Sequence, residues 1–329
     1  MDVLEHRIIL AGKQARHYQL VNHQASSDQN KNNSPEPSNS LEPNNRPANN
    51  SKNQVSHTSS RLAKPKLHFY GGNGFPVGVY QPMLSKLSEQ FDISSLAMRG
   101  YWYDLPTDKV LTREQDAALL IEYLEKTQDH PIIGIGHSQG ATATAMAAAK
   151  RPDLFSALYL IDPVTFTKPQ TLLYRSLPRR FMMTQEPFKS TNNKQAHWTS
   201  VDDYYQDLRQ RPAYRRISND NLYIFAKNSL VQTDTGYQLL FQPQYELASY
   251  FGTPYITPSL KKLKKKSLPY YLILAKPSVF NSEKVRLSWR RVVPSDRIIT
   301  LSEYGHLLPI EAPERCAEII DILNKLHTA

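Results

Sequence analysis

An α/β fold on a mostly parallel central sheet is the class this sequence predicts, and three observations predict it. Short apolar runs of strand length alternate with segments of helical periodicity from residue 66 to 161, and the alternation resumes from 269 to 326. Of the 329 residues 40% are hydrophobic and 21% charged, enough apolar material for a sizeable core with helices on both faces of such a sheet. A glycine-flanked serine, in Gly136-His137-Ser138-Gln139-Gly140, joins one strand to an alanine-rich helix.

The elements follow in order. Residues 6–10 and 17–21 flank Ala11-Gly12-Lys13 and predict an antiparallel hairpin on the same sheet. Residues 66–70 (KLHFY) read as a buried strand, 71–74 as a Gly-rich turn, and 79–90 as a helix with Leu84, Leu87 and Phe91 at helical spacing. A strand over 92–98 leads to a helix over 112–127, opened by Thr112 and Gln115 as a capping box and with Ala118, Leu119, Ile121 and Leu124 as its apolar side. The strand 131–135 (PIIGI) precedes the helix 139–150 (QGATATAMAAAK), and 157–161 is the sixth strand. Residues 163–266 then break the alternation. They are dense in Tyr, Arg, Gln and Pro, with short helix candidates over 201–211 and 245–251. A strand over 269–275, a helix over 282–292, a strand over 297–301 and a helix over 313–326 complete one interrupted domain, 1–162 and 267–329.

Composition excludes several function classes. Residues 24–62 carry nine Asn, nine Ser and four Pro and bury too little to offset the entropy of ordering them, so a disordered insert is expected there. The single cysteine, Cys316, excludes an intrachain disulfide framework and a cysteine zinc cluster and suits a reducing compartment. The N-terminus has no basic flank before its short apolar run, and no run approaches the roughly 18 residues of a membrane span; a cytoplasmic protein without a transmembrane segment is expected. The net charge is +10, and five of the basic residues form one run, Lys261, Lys262, Lys264, Lys265 and Lys266. No basic platform interleaved with aromatics or helix-turn-helix pattern accompanies them, so no nucleic-acid partner is expected. The run reads as a solvated linker or helix end, or else as a weak contact for an anionic surface.

The chemistry concentrates at Ser138. A serine on a sharp strand-to-helix turn takes a strained backbone, and glycines two before and two after let neighbouring chain approach closely. Its hydroxyl needs a base. Of the ten histidines, His306 has the best placement, on the loop after the last strand at the edge where open α/β sheets hold ligands. His137 adjoins the serine and is expected to point away; His68 lies within a strand and reads as core; His197 reads as a surface residue or one facing substrate. For the carboxylate that orients the imidazole, Asp162 follows the sixth strand at the same edge, its alternative role being to cap the turn into Pro163. Glu283 and Asp296 fall at a helix start and before a strand.

The order Ser138, Asp162, His306, the elbow GHSQG and the turn Gly72-Asn73-Gly74-Phe75-Pro76 make the chain resemble the α/β-hydrolase superfamily over essentially all residues outside 24–62. NGFP followed by Tyr80, with Met98-Arg99-Gly100 and Leu160-Ile161-Asp162-Pro163, is similar to a bacterial subgroup of hydrolases whose first motif reads H-A-N-G-F-P. Gly71 and Gly72 stand here for the leading His-Ala, which leaves the turn intact with a looser backbone. Members often carry the acid after the strand that follows the interruption. That place reads Ala275-Lys276-Pro277-Ser278-Val279, without an acid, which favours the less common position, Asp162.

The resemblance implies an oxyanion hole made by the backbone N–H of Gln139 and of Asn73 or its neighbour Gly72. It also implies that 163–266 form a helical cap over the pocket, with Tyr204, Tyr205, Phe225 and Tyr237 either lining the pocket or packing within the cap. The expected activity is a serine hydrolase, foremost a carboxylesterase acting on a small to medium ester through an acyl-enzyme on Ser138, with no cofactor and no metal. An amidase, thioesterase or C–C bond hydrolase would use the same residues. A cofactor-free peroxidase or lyase, or a non-catalytic binding protein, is the alternative of another class.

Overall fold

The computed structural model describes residues 1–22, 64–278 and 280–328; the insert expected over 24–62 lies outside the described residues. The first elements are β1 (Asp2–Leu10), β2 (Lys13–Val21), β3 (Lys66–Tyr70), α1 (Gln81–Leu87), β4 (Asp92–Leu96), α2 (Arg113–Thr127), β5 (Ile132–His137), α3 (Gln139–Lys150) and β6 (Phe155–Ile161). The intervening segment holds α4 (Lys168–Ser176), α5 (Arg179–Met182), α6 (Phe188–Asn192), β7 (His197–Trp198), α7 (Val201–Gln210), α8 (Asn219–Ser229), β8 (Leu230–Thr233), β9 (Gly236–Leu239), α9 (Pro243–Tyr250) and α10 (Thr257–Lys265). The chain closes with β10 (Tyr270–Ala275), α11 (Glu283–Arg290), β11 (Ile298–Leu301), α12 (Leu308–Glu311) and α13 (Pro313–Thr328).

Eight strands form one sheet in the order β1-β2-β4-β3-β5-β6-β10-β11. The hairpin β1-β2 joins it antiparallel to β4, and every pairing from β4 to β11 is parallel. β5 is buried along its whole length and β6 at every residue but Ser156, as a sheet covered on both faces requires. α3 packs against β5, β6, α2 and α10 at once. Its alanines are buried around the full circumference, which explains the composition: only small side chains let so many neighbours approach.

α2 starts with the expected capping box but buries a different face. Arg113, Asp116, Ala117, Leu120, Tyr123 and Leu124 point inward, whereas Ala118 is exposed and Leu119 and Ile121 are half-buried. The inward stripe carries two charges that satisfy each other. Asp116 lies 2.9 Å from Arg113 and 2.7 Å from Arg99, and Arg99 also reaches the Thr112 carbonyl at 3.0 Å. Hydrophobicity alone marks the neighbouring arc of Ala118, Leu119 and Ile121, because a paired buried ion looks like a surface residue in sequence.

The segment between β6 and β10 is helical as expected, but it also contains a three-stranded antiparallel sheet, β7-β9-β8. Strands of two to four residues are too short to show a period. α10 buries Leu260 and Leu263 and leaves Lys261, Lys262, Lys264, Lys265 and Lys266 exposed. Among the described residues no helix is long and apolar enough to cross a membrane.

The register sets the site. Tyr70 stands opposite Gly136, Gly136 opposite Leu160, Ile161 opposite Ile273 and Ala275 opposite Leu301. The loops after β3, β5, β6, β10 and β11 thus leave from one edge of the sheet.

Candidate active site

At that edge the turn from β5 to α3 holds Ser138 at φ 56, ψ −121, a left-handed backbone that costs about 1–3 kcal/mol and must be held by its surroundings. It is held by hydrogen bonds: the Ser138 N–H donates to the Ile161 carbonyl at 2.9 Å, and its carbonyl accepts from the N–H groups of Thr142 at 3.2 Å and Val164 at 3.3 Å. The flanking glycines are required by contact. A Cβ on Gly136 would lie 2.5 Å from the Ala141 backbone, and one on Gly140 would fall against the carbonyl oxygens of Tyr70 and Gly71.

The structure brings Ser138, His306 and Asp162 together. His306 Nε2 is 2.9 Å from Ser138 Oγ, and His306 Nδ1 is 2.7 Å from Asp162 Oδ2. An ionised carboxylate only accepts, so Nδ1 carries the proton and Nε2 is free to accept from the serine hydroxyl. Asp162 is fully buried at the end of β6 with φ 40, and the loop after β10, which has no acid, supplies its donors instead. Oδ1 accepts from the Ala275 N–H at 3.0 Å and Asn281 Nδ2 at 2.7 Å, and Oδ2 also accepts from Ser278 Oγ at 2.6 Å. Burial alone would raise the Asp162 pKa; the hydrogen bond and charge of His306, with Ser278 and Ala275, outweigh it and hold the carboxyl below its ordinary value. Glu283 and Asp296 are exposed, Glu283 facing Arg290 at 3.9 Å.

The two turn candidates for the oxyanion separate. The Gly72 N–H donates to Tyr80 Oη at 2.8 Å, so Gly72 is not an available donor, which corrects its place among the expected oxyanion residues. Asn73 and Gln139 border the same cavity as Ser138 and His306. Gln139 is the first residue of α3, where helix geometry leaves the N–H without an intrahelical acceptor. Arg113, fully buried, donates to Gln139 Oε1 and fixes that residue from below. The Asn73 side chain is tied by Nδ2 to the Glu246 carbonyl at 3.1 Å. His137 turns away from the serine, yet it does not leave the site: its ring is fully buried between Tyr80 and the backbone of His306.

A profile of the alpha/beta hydrolase family matches residues 67–319. The chain belongs to the alpha/beta hydrolase family. An uncharacterized hydrolase of Bacillus subtilis, YugF, is 23% identical over 249 residues, 73% of this chain and 83% of that protein. The type I acyl-CoA thioesterase mpaH' of Penicillium brevicompactum is 27% identical over 118 residues, 31% of this chain; the match spans only 27% of the thioesterase's length. The crystal structure of E-2-(acetamidomethylene)succinate hydrolase superposes with a TM-score of 0.68 at 16% identity, covering 98% of this chain and all of that one, which shows the shared fold.

In this alpha/beta hydrolase a cavity of about 550 Å³ opens from Ser138 into the intervening segment. Of the four aromatics singled out there, Tyr204 and Phe225 border it, whereas Tyr205 and Tyr237 do not: Tyr205 Oη bonds Asn219 at 3.1 Å and Tyr237 lies in β9. The sequence pattern did not point to Tyr214, Phe241, Tyr250 and Phe280 on its wall, nor to an ion pair of Lys194 with Glu246 at 2.8 Å. Among the described residues no group of three or more His, Cys, Asp or Glu side chains could hold a metal.

Two buried histidines give the hydrolase a predictable acid response. Burial pushes His68 and His137 from 6.5 down to about 3, aided by His17 for the first and His306 for the second. Their folded pKa lies below the unfolded one, so the unfolded chain binds two more protons in that interval. Their contribution is intact above 6.5 and is lost as pH falls from there toward 3. Chemical denaturation between about pH 4.5 and 6 should show stability falling by up to about 2.7 kcal/mol per pH unit from these two groups, and His68→Gln should remove about half of that slope.

Proposed function

We propose that this hydrolase cleaves a small to medium carboxylic ester through an acyl-enzyme on Ser138. The observation that supports the reading is the unbroken run Asp162, His306, Ser138 at 2.7 and 2.9 Å, opening onto a cavity whose wall combines seven Phe and Tyr side chains with the charged Lys194, Arg215, Arg216, Glu246 and Glu311. His306 Nε2 takes the hydroxyl proton as Ser138 Oγ attacks the carbonyl carbon, and Asp162 stabilises the imidazolium. The oxyanion is met by the N–H groups of Asn73 and Gln139. As the tetrahedral intermediate collapses, His306 returns the proton to the leaving alkoxide. Water then attacks the acyl-enzyme, with His306 again accepting a proton and passing it to Ser138 as the acid leaves. Residues 163–266 serve as the cap that shapes the acyl and alcohol sites.

A thioester is the second reading, supported by the partial likeness to the Penicillium thioesterase. A series of p-nitrophenyl esters of increasing acyl length, with the matching thioesters and anilides, tests both. The expected result is a burst of one p-nitrophenol per enzyme with the esters, followed by steady turnover that declines once the acyl chain outgrows the cavity. Preferential turnover of thioesters would move the assignment to that class, and turnover of neither at rates above buffer would overturn it.

A further inference from the structure

A run of buried hydrogen bonds joins the turn that carries Asn73 to the loop that carries His306, and chemistry fixes its direction. The Gly72 N–H can only donate, and it donates to Tyr80 Oη at 2.8 Å. The proton of Tyr80 is then directed at His137 Nδ1, also 2.8 Å away. The His306 carbonyl can only accept, so His137 carries its proton on Nε2 and donates to that carbonyl at 2.8 Å. One neutral imidazole meets both demands, consistent with its burial. On the other side of the same loop the Gly305 N–H donates to Glu311 Oε2 at 2.6 Å, so the backbone around His306 is gripped from both directions.

Tyr80 and His137 are both fully buried and use every hydrogen-bonding atom they have, and the run ends on the two backbone segments that Ser138 chemistry needs in register.

We propose that Tyr80 and His137 are positioning residues that set the Asn73 N–H and the His306 imidazole relative to each other; the inference rests on the acyl-enzyme reading for its catalytic consequence. Tyr80→Phe deletes one hydroxyl and keeps the ring. Expected is a fall in kcat on p-nitrophenyl butyrate of about 10- to 100-fold with KM changed less than about 3-fold in the folded variant, together with a lower melting temperature, because the Gly72 N–H and His137 Nδ1 lose their partner in the core. His137→Gln, whose amide can still donate to the His306 carbonyl, should retain more kcat than His137→Leu. The double variant Tyr80→Phe/His137→Gln should cost no more than the worse single change, because both break one run.

A folded Tyr80→Phe with kcat within about 2-fold of wild type, or a loss confined to KM or to the unfolded fraction, overturns the proposal. Imidazole ¹H–¹⁵N spectra probe the same positioning without turnover. The His306 ring nitrogens should shift in Tyr80→Phe and in any folded His137 variant, and unchanged shifts overturn the proposal even if wild type hydrolyses no ester. Wild-type ester turnover with unaltered variants would sink the positioning role alone; absent wild-type turnover with shifted rings would sink the acyl-enzyme reading alone.

Discussion

Asp162→Asn is expected to lower kcat for ester hydrolysis by about 10⁴-fold with little change in KM. The carboxylate sits among four donors: the Ala275 N–H, Asn281 Nδ2, Ser278 Oγ and His306 Nδ1. An amide of the same shape must aim its own NH₂ at one of them. If it faces His306, the imidazole can accept there only by moving its proton to Nε2, and it can no longer take the serine proton. The loss should therefore appear in the chemical step. Stability changes in a defined direction as well. The Asp162 pKa lies below its ordinary 3.8 despite burial, because His306, Ser278 and Ala275 favour the charged form. Its contribution is present above the unfolded value and is lost as pH falls through the lowered folded value, and the Asn variant lacks that acid-dependent part. Glu283→Gln, on an exposed residue beside Arg290, should leave kcat unchanged; a large loss there with a normal Asp162→Asn would put the orienting acid elsewhere.

Ser138→Ala carries the largest expected effect, a fall in kcat of about 10⁶-fold. The residual rate over buffer would come from the Asn73 and Gln139 N–H groups and from binding. Alanine fits the site, and the hydrogen bonds of the Ser138 backbone to Ile161, Thr142 and Val164 do not involve Oγ, so circular dichroism and the melting temperature should stay close to wild type. A drop of less than about 100-fold in the folded variant would mean that turnover does not run through this hydroxyl.

What was legible in the sequence follows the range of the interactions. Gly136 and Gly140 signal the elbow because the contacts that require glycine lie in the elbow, its helix and the adjoining strand. Asp162 and His306 could be ranked because parallel strands send their following loops to one edge, and order along the chain tells which loops those are. The donors around Asp162 were not legible: Ser278 and Asn281 stand 116 and 119 residues away in sequence and meet it only through the pairing of β6 with β10. Choosing between Gly72 and Asn73 needed a tertiary fact too, that Tyr80 Oη occupies the Gly72 N–H. That His137 points away from the serine follows from its place beside it, but the carbonyl it bonds lies 169 residues further on and was not legible. The inward face of α2 was missed because Arg113 and Asp116 neutralise each other there, and the small sheet β7-β9-β8 because its strands are shorter than any detectable period.

A nucleophilic Ser138 activated by His306 is tested most directly by reaction of the folded protein with a fluorophosphonate, read by intact mass and peptide mapping. One adduct per chain is expected, on Ser138, absent from Ser138→Ala and formed far more slowly by Asp162→Asn. A folded wild-type protein that stays unmodified, or that carries the adduct on another residue, would contradict it.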